Sequence, residues 1–283
     1  MKLTESLSAR VNTTVVRTIV STSTTFHQFM CYSATTISQA VSGAIGVVKN
    51  GVGQLTLSGI CSYTGPTIIN QGTLTVTGAS TLNGVISGMG SLAKTGTAVL
   101  TIGGNNTYSG GTFYNSSGTS AYIVFNSSNA FGSGLFTVTG GVGRIDTGGN
   151  VTLPNNFQLT SSLQFRTTGA NTITVTGNIA GAKDINKTGN GLLDLQGNLT
   201  YTGVTLITAG TIRAYKTVGA SRATANFTTA TTLTITFDVP PDAGTQTFRF
   251  FQGASRSYTT ITLVNAPGRT GAYNSTNSTL TVT

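Results

Sequence analysis

The sequence predicts an all-β chain wound as a parallel β-helix, or β-solenoid, and three observations carry that reading. The first is a repeat. Lys49, Gly51, Leu55, Leu57, Gly59, Tyr63, Gly65 and Thr67 recur as Lys94, Gly96, Leu100, Ile102, Gly104, Tyr108, Gly110 and Thr112. They recur again as Lys187, Gly189, Leu193, Leu195, Gly197, Tyr201, Gly203 and Thr205, without insertion or deletion. A unit of this kind cannot bury its apolar face alone and must stack on its neighbours. The second is strict alternation, as in Gln54-Leu55-Thr56-Leu57-Ser58, which places apolar and hydroxyl side chains on opposite faces of a strand. The third is composition. Charged residues make up 7% of the chain, far below an ordinary domain, while Gly, Thr, Ser and Asn fill the gap. Because 38% of residues are still hydrophobic and patterned, the chain reads as ordered.

Residues 1–40 precede the repeat. Val11, Val15, Val16, Ile19 and Val20 among many Thr and Ser read as one or two strands or an extended N-terminal arm. An ordered arm needs something to hold it, so residues 1–40 are expected to attach to a sister subunit or another protein.

Residues 41–215 carry the solenoid. Val41-Ser42-Gly43, Ile86-Ser87-Gly88 and Ile179-Ala180-Gly181 each stand eight residues before the lysine of their copy. Gly72-Thr73-Leu74 and Gly210-Thr211-Ile212 close the first and third copies, with a degenerate Gly118-Thr119-Ser120 in the second. Glycine between short strands permits tight corners. Lys49 to Lys94 is 45 residues and Lys94 to Lys187 is 93. The spacing predicts three-sided coils of about 22–23 residues, two between the first lysines and four between the next, about eight in all. Residues 126–185 then hold two units that keep the register and lose the signature. Leu55, Leu57, Leu100, Ile102, Leu193 and Leu195 are predicted inward, and Thr56, Thr101 and Asp194 outward.

Residues 216–283 change character. Strand-like runs continue at 231–239, 247–251, 259–264 and 279–283, with turns at Asp242-Ala243-Gly244 and Pro267-Gly268 and a crowd of Phe248, Phe250 and Phe251. An open solenoid end is an unpaired edge, so a C-terminal β cap or small β domain is expected here.

Charge and special residues narrow the function. The net charge of +9 comes from scattered bases against six acids. The bases read as dispersed and solvated rather than as the clustered stripe of a nucleic-acid groove. A weak attraction to acidic polysaccharide is compatible with them. Cys31 and Cys61 are too few for a disulfide framework, leaving one optional bridge or two small buried hydrophobes. No apolar run is long enough to span a bilayer as a helix, and MKLTESLSARVNTTVVRTIVS lacks the apolar core of a signal peptide. Low charge, abundant Thr and the absence of Trp suit an extracellular or virion surface.

Catalytic chemistry finds little to work with. Glycoside hydrolysis needs two carboxylates a set distance apart. Beyond Glu5 the acids are Asp146, Asp184, Asp194, Asp238 and Asp242, and Asp184 with Asp194 is the candidate pair. His27 is the single histidine, and no cluster suits a metal. Gly140-Gly141-Val142-Gly143 reads as corner glycines, since no helix follows. Tyr63, Tyr108 and Tyr201 read as a structural ladder of equivalent positions rather than as a sugar-stacking track. No catalytic, cofactor-binding or metal-ligating residue is assigned.

The string Lys-x-Gly-x-x-x-Leu-x-Leu-x-Gly-x-x-x-Tyr-x-Gly-x-Thr, running on to Gly-Thr-Leu, resembles the autotransporter-associated β-strand repeat. It stands here as Lys49–Leu74, Lys94–Thr119 and Lys187–Ile212. The resemblance implies a right-handed parallel β-helix. Such repeats occur in bacterial autotransporter passengers and in phage appendage proteins. Short length and the missing signal favour a non-enzymatic structural protein of a bacteriophage virion, a capsid-decorating fibre or tail appendage. The alternatives are a bacterial surface or extracellular adhesin and a polysaccharide-cleaving spike. Expected partners are other virion proteins or sister subunits through residues 1–40, with host surface glycan as a further ligand and neither nucleic acid nor membrane insertion. No cofactor is expected.

Overall fold

The computed structural model describes residues 7–9, 13–15, 19–20, 26–116, 118, 120–203, 205–215, 222–226, 232–237, 246–249, 260–264, 266–274 and 279–283. Among them every regular element is a strand and there is no helix. The chain winds around three walls. Gly46–Asn50 lies in the first, Gln54–Leu57 in the second and Cys61–Tyr63 in the third; Thr67–Ile69 then returns to the first. Each of these wall strands pairs in parallel with the strand one turn before it and the strand one turn after it. Among the described residues the second wall has nine strands and the third has ten.

Alternation sets the register as predicted for the apolar side chains. Leu55, Leu57, Leu100, Ile102, Leu193 and Leu195 are buried in one continuous core. Thr56 and Thr101, between them, are partly exposed. Asp194 departs from this pattern. It occupies the outward slot but is only 4% exposed; its backbone pairs in register with Thr174 and Arg213 of the neighbouring rungs, and Gln196 Nε2 donates to its carboxylate.

About eight turns run through the repeat region. Register pairs step from Val41 through Cys61, Ser80, Leu100, Ile123, Ile145, Phe165 and Lys187 to Ile207, so 166 residues make eight turns of about 21 each. At about 4.8 Å per rung this is a rod on the order of 40 Å long. The turn is shorter than the expected 22–23 residues, and the shortfall has a consequence. The 45-residue offset is two turns plus one wall, and the 93-residue offset is four turns plus one wall. Lys49 therefore stands on the first wall, Lys94 on the second and Lys187 on the third. Equivalent residues of the three copies do not stack on one another, so the expected ladder of Tyr63, Tyr108 and Tyr201 does not form. Each copy is turned one wall onward from the last.

The first wall is interrupted midway. After Ile86–Ser87, residues 103–111 cross it without a strand but keep its ladder bonds, from Thr107 N to Ile86 O and from Ser109 N to Gly88 O. One turn later Phe131 sits in a tight turn and fills the interior. The rings of Phe125, Phe131, Phe136, Phe157 and Phe165 follow one another at 4.8–5.8 Å between centroids. Aromatic packing thus supports the stretch in which the signature residues are missing. The first wall resumes with Val151–Leu153, Thr172–Val175 and Leu192–Leu195.

The ladders also extend below residue 41. Leu7–Ala9, Thr13–Val15 and Ile19–Val20 pair in parallel with Phe26–Cys31, Thr35–Ile37 and Val41–Gly43. The described part of the segment expected as an arm therefore contributes rungs to the same walls; Val11 and Val16 lie outside the described residues. At the other end pairing changes after Thr211–Tyr215. Arg222–Asn226 and Thr232–Phe237 continue the sheet antiparallel, and Thr260–Val264 joins in parallel. Gln246–Arg249, Gly271–Asn274 and Thr279–Val282 form a separate antiparallel sheet. The predicted turn at 242–244, with Phe250 and Phe251, lies outside the described residues.

Candidate functional site

The repeated lysines are not solvated bases. Lys49, Lys94 and Lys187 are fully buried, each two residues beyond an inward apolar residue of its own strand: Val47, Leu92 and Ile185. Period two turns both side chains inward. The stem packs in the core and the ammonium bends to the next corner. Lys49 Nζ donates to the carbonyls of Asn50, Gly51 and Gln71 at 3.0, 2.7 and 3.0 Å. Lys94 Nζ donates to Thr95 O, Gly96 O and Ser116 Oγ at 2.7, 3.2 and 3.2 Å. Lys187 Nζ donates to Thr188 O and Gly189 O at 2.8 and 2.7 Å, with Thr167 Oγ1 at 3.2 Å and Ala209 O at 3.4 Å. Each ammonium thus donates to a cage of three or four oxygens drawn from its own corner and a neighbouring turn.

The corner itself requires glycine. Gly51, Gly96 and Gly189 have φ of 77, 72 and 71°. A Cβ on Gly189 would come within 1.9 Å of Thr167 O. The chain turns left-handed there, which points the carbonyls inward at the ammonium. Burial lowers all three amines. Lys94 and Lys187 are pushed down to about 8, and Lys49 is lowered by the same cause.

A second device spans the following corner. Tyr63 and Thr67 hydroxyls meet at 2.7 Å, Tyr108 and Thr112 at 2.6 Å, and Tyr201 and Thr205 likewise. The spacing Tyr-x-Gly-x-Thr is thus a clasp four residues wide. The glycine lets turns approach: a Cβ on Gly65 would lie 2.3 Å from Ile45 O. Tyr63 and Tyr108 are buried, and burial raises both phenols. Neither can offer a ring face to a sugar.

The candidate carboxylate pair, Asp184 and Asp194, is not brought onto one wall. Asp184 lies in the corner before third-wall strand Ile185–Thr188, where Ser162 Oγ donates to it at 3.3 Å. Asp194 lies beyond that strand on the first wall, covered, with Gln196 Nε2 donating to it at 2.9 Å. His27 is half-buried on first-wall strand Phe26–Cys31, and burial lowers its imidazole. Cys31 and Cys61 are free thiols on different walls, buried and raised by burial. Among the described residues no three of His, Cys, Asp and Glu gather as metal ligands would.

A charged cluster does form on the third wall, and it was not foreseen. Asp146 is 5% exposed on an outward slot. Arg144 Nε and Nη2 donate to its two oxygens at 2.8 and 2.5 Å, and Arg166 Nη1 donates from the next rung at 3.1 Å. The Arg144 guanidinium lies 4.2 Å from the centre of the Tyr122 ring. The signal in the sequence was there. Arg144-Ile145-Asp146 and Gln164-Phe165-Arg166 are alternating strands whose outward residues are charged or amide-bearing instead of Thr.

The passenger-associated-transport-repeat matches the chain at residues 47–76, 92–113 and 185–214. These segments hold the three lysine corners and their Tyr–Thr clasps. No curated protein and no solved structure matches the chain. Repeats and solenoid together fit an autotransporter-passenger-like surface protein. They lend no support to a virion role, so the alternative drawn from the sequence is favoured over its first reading.

Proposed function

We propose that the chain is a non-enzymatic, surface-displayed β-solenoid of the bacterial passenger type, a rigid rod that presents an adhesive face. The observation that carries this reading is the coincidence of the three repeat matches with the three lysine-caged corners. The repeated side chains are spent on joining one turn to the next: the three lysines, the Leu and Ile positions and the clasp threonines are buried, and Tyr201 is partly buried with its hydroxyl bonded to Thr205. A scaffold whose signature is purely architectural suits display. Its Thr-coated, weakly charged walls suit the outside of a cell. Contact with a sister subunit or another surface protein is then made through residues 1–40.

The test is labelling of intact producing cells with an antibody to the purified chain, followed by protease shaving. Signal on intact cells, with 41–215 peptides released by protease, supports the proposal. Recovery of the chain in purified phage particles and not on cells overturns it.

A further inference from the structure

Up the outer face of the third wall the rod first presents hydroxyls. Ser42, Ser62, Thr81 and Thr101 follow one another on successive rungs. Beyond Val124 the same column carries Asp146 and then Arg166. The column beside it carries Arg144, Gln164 and Asn186. Three adjacent rungs therefore present five planar groups, two guanidiniums, two carboxamides and a carboxylate, each with fixed donor and acceptor edges. Rungs stand about 4.8 Å apart and alternate residues about 7 Å apart, so the grid covers about 10 by 7 Å. That is about the footprint of two sugar rings.

Its charge is unbalanced. Asp146 is occupied by Arg144 and Arg166 and is nearly closed to solvent, whereas the Arg166 side chain is 42% exposed. The grid holds two guanidiniums for one carboxylate, in a chain of net charge +9. Arg144 is fixed in place by Asp146 and by the Tyr122 ring, so the surface is pre-formed. A guanidinium matches a carboxylate in plane, and amides match pairs of hydroxyls.

We propose that this face binds a carboxylate-bearing glycan, with Arg166 taking the carboxylate and Gln164 and Asn186 the ring hydroxyls. Nucleic acid fits less well, since one excess charge is not the long basic stripe that a phosphate backbone selects. The inference rests on the display reading only for its setting, and it names the ligand and the face that such a rod would present.

The experiment is calorimetric titration of the purified full chain with polygalacturonate oligomers and with their neutral methyl esters, at low and physiological salt. Wild type should bind the acid and not the ester. Arg166→Gln and Gln164→Ala should each weaken binding at least about tenfold, the loss expected for a charge-assisted or buried polar contact. Arg269→Gln removes the same charge elsewhere and should not weaken it. Should Arg166→Gln lower the unfolding temperature, Gln164→Ala and Asn186→Ala carry the readout, since neither residue is bonded to Asp146. Absence of binding by wild type overturns the proposal, as does equal loss in Arg269→Gln, which marks a mere net-charge effect. Cell-surface labelling is read separately, so failure here leaves the display reading to its own test.

Discussion

Lys49 Nζ lies 3.0 Å from the carbonyl oxygen of Gln71, one turn further along the rod. The same step of 22 residues links Lys94 to Ser116 and Lys187 to Ala209. One side chain thus joins its own corner to the corner stacked upon it. The cage also explains how long the repeat must be. It has to run from the lysine strand through one full turn to the next corner, and Gly72 and Gly210, both at positive φ, stand just past that point.

Removing the ammonium should loosen this joint. Lys187→Met keeps most of the apolar stem and leaves the carbonyls of Thr188 and Gly189 without a donor. Each buried unsatisfied group costs about 1–3 kcal/mol, so a loss of about 3 kcal/mol is expected. Lys183→Met, at an exposed corner position, should stay within about 0.5 kcal/mol of wild type. Urea unfolding of the two variants decides. Equal midpoints would show that the cage contributes nothing.

The lysines also predict the sign of a pH effect. Lys94 and Lys187 titrate at about 8 in the folded chain, against about 10.5 when unfolded. Above about pH 8 the folded state sheds protons that the unfolded state still holds, so stability rises with pH. The buried thiols act oppositely, since the folded chain keeps their protons once the unfolded chain begins to lose them near pH 9. The clean window is therefore pH 7.5–9. Chemical unfolding should show stability climbing through it, and Lys94→Met should flatten the slope. A fall across the window in wild type would contradict the assignment.

The left-handed corner makes a third prediction. Gly189→Ala should cost about 3 kcal/mol or more, combining a positive φ with a clash against Thr167 O. Gly149→Ala is the control, because its Cβ would meet nothing within 4 Å. Thermal unfolding of both variants separates a required glycine from a merely frequent one.

The fold was legible because period two is unambiguous where Leu and Thr alternate. Leu55, Thr56 and Leu57 fix both faces of a strand, and stacking follows. The winding was less legible. A repeat offset of 45 residues looks like two whole coils, and nothing in the residues reveals that a coil takes about 21. Only the ladder partners show that Lys94 has moved one wall on from Lys49. The lysine cage was readable in principle, because Lys49 shares its parity with Val47, yet a base in an inward slot is easily taken for a surface charge. Asp194 failed for another reason: parity gives the face of a strand but not how much of that face is buried.

The carboxylates supply the last prediction. Ser162 donates to Asp184 in a corner, while Asp194 is covered on the first wall, with strand Ile185–Thr188 between them. Two carboxyls so placed do not face a common substrate as paired glycosidase acids must. The purified chain should release no reducing ends from host-capsule polysaccharide or polygalacturonate, and Asp184→Asn and Asp194→Asn should leave glycan binding unchanged. Stability should separate them. Asp194 accepts the Gln196 bond under cover, so Asp194→Asn should cost about 1–2 kcal/mol, while Asp184→Asn should cost less than about 0.5 kcal/mol. Cleavage by wild type that disappears in either well-folded variant would make the rod an enzyme and reverse the non-catalytic proposal.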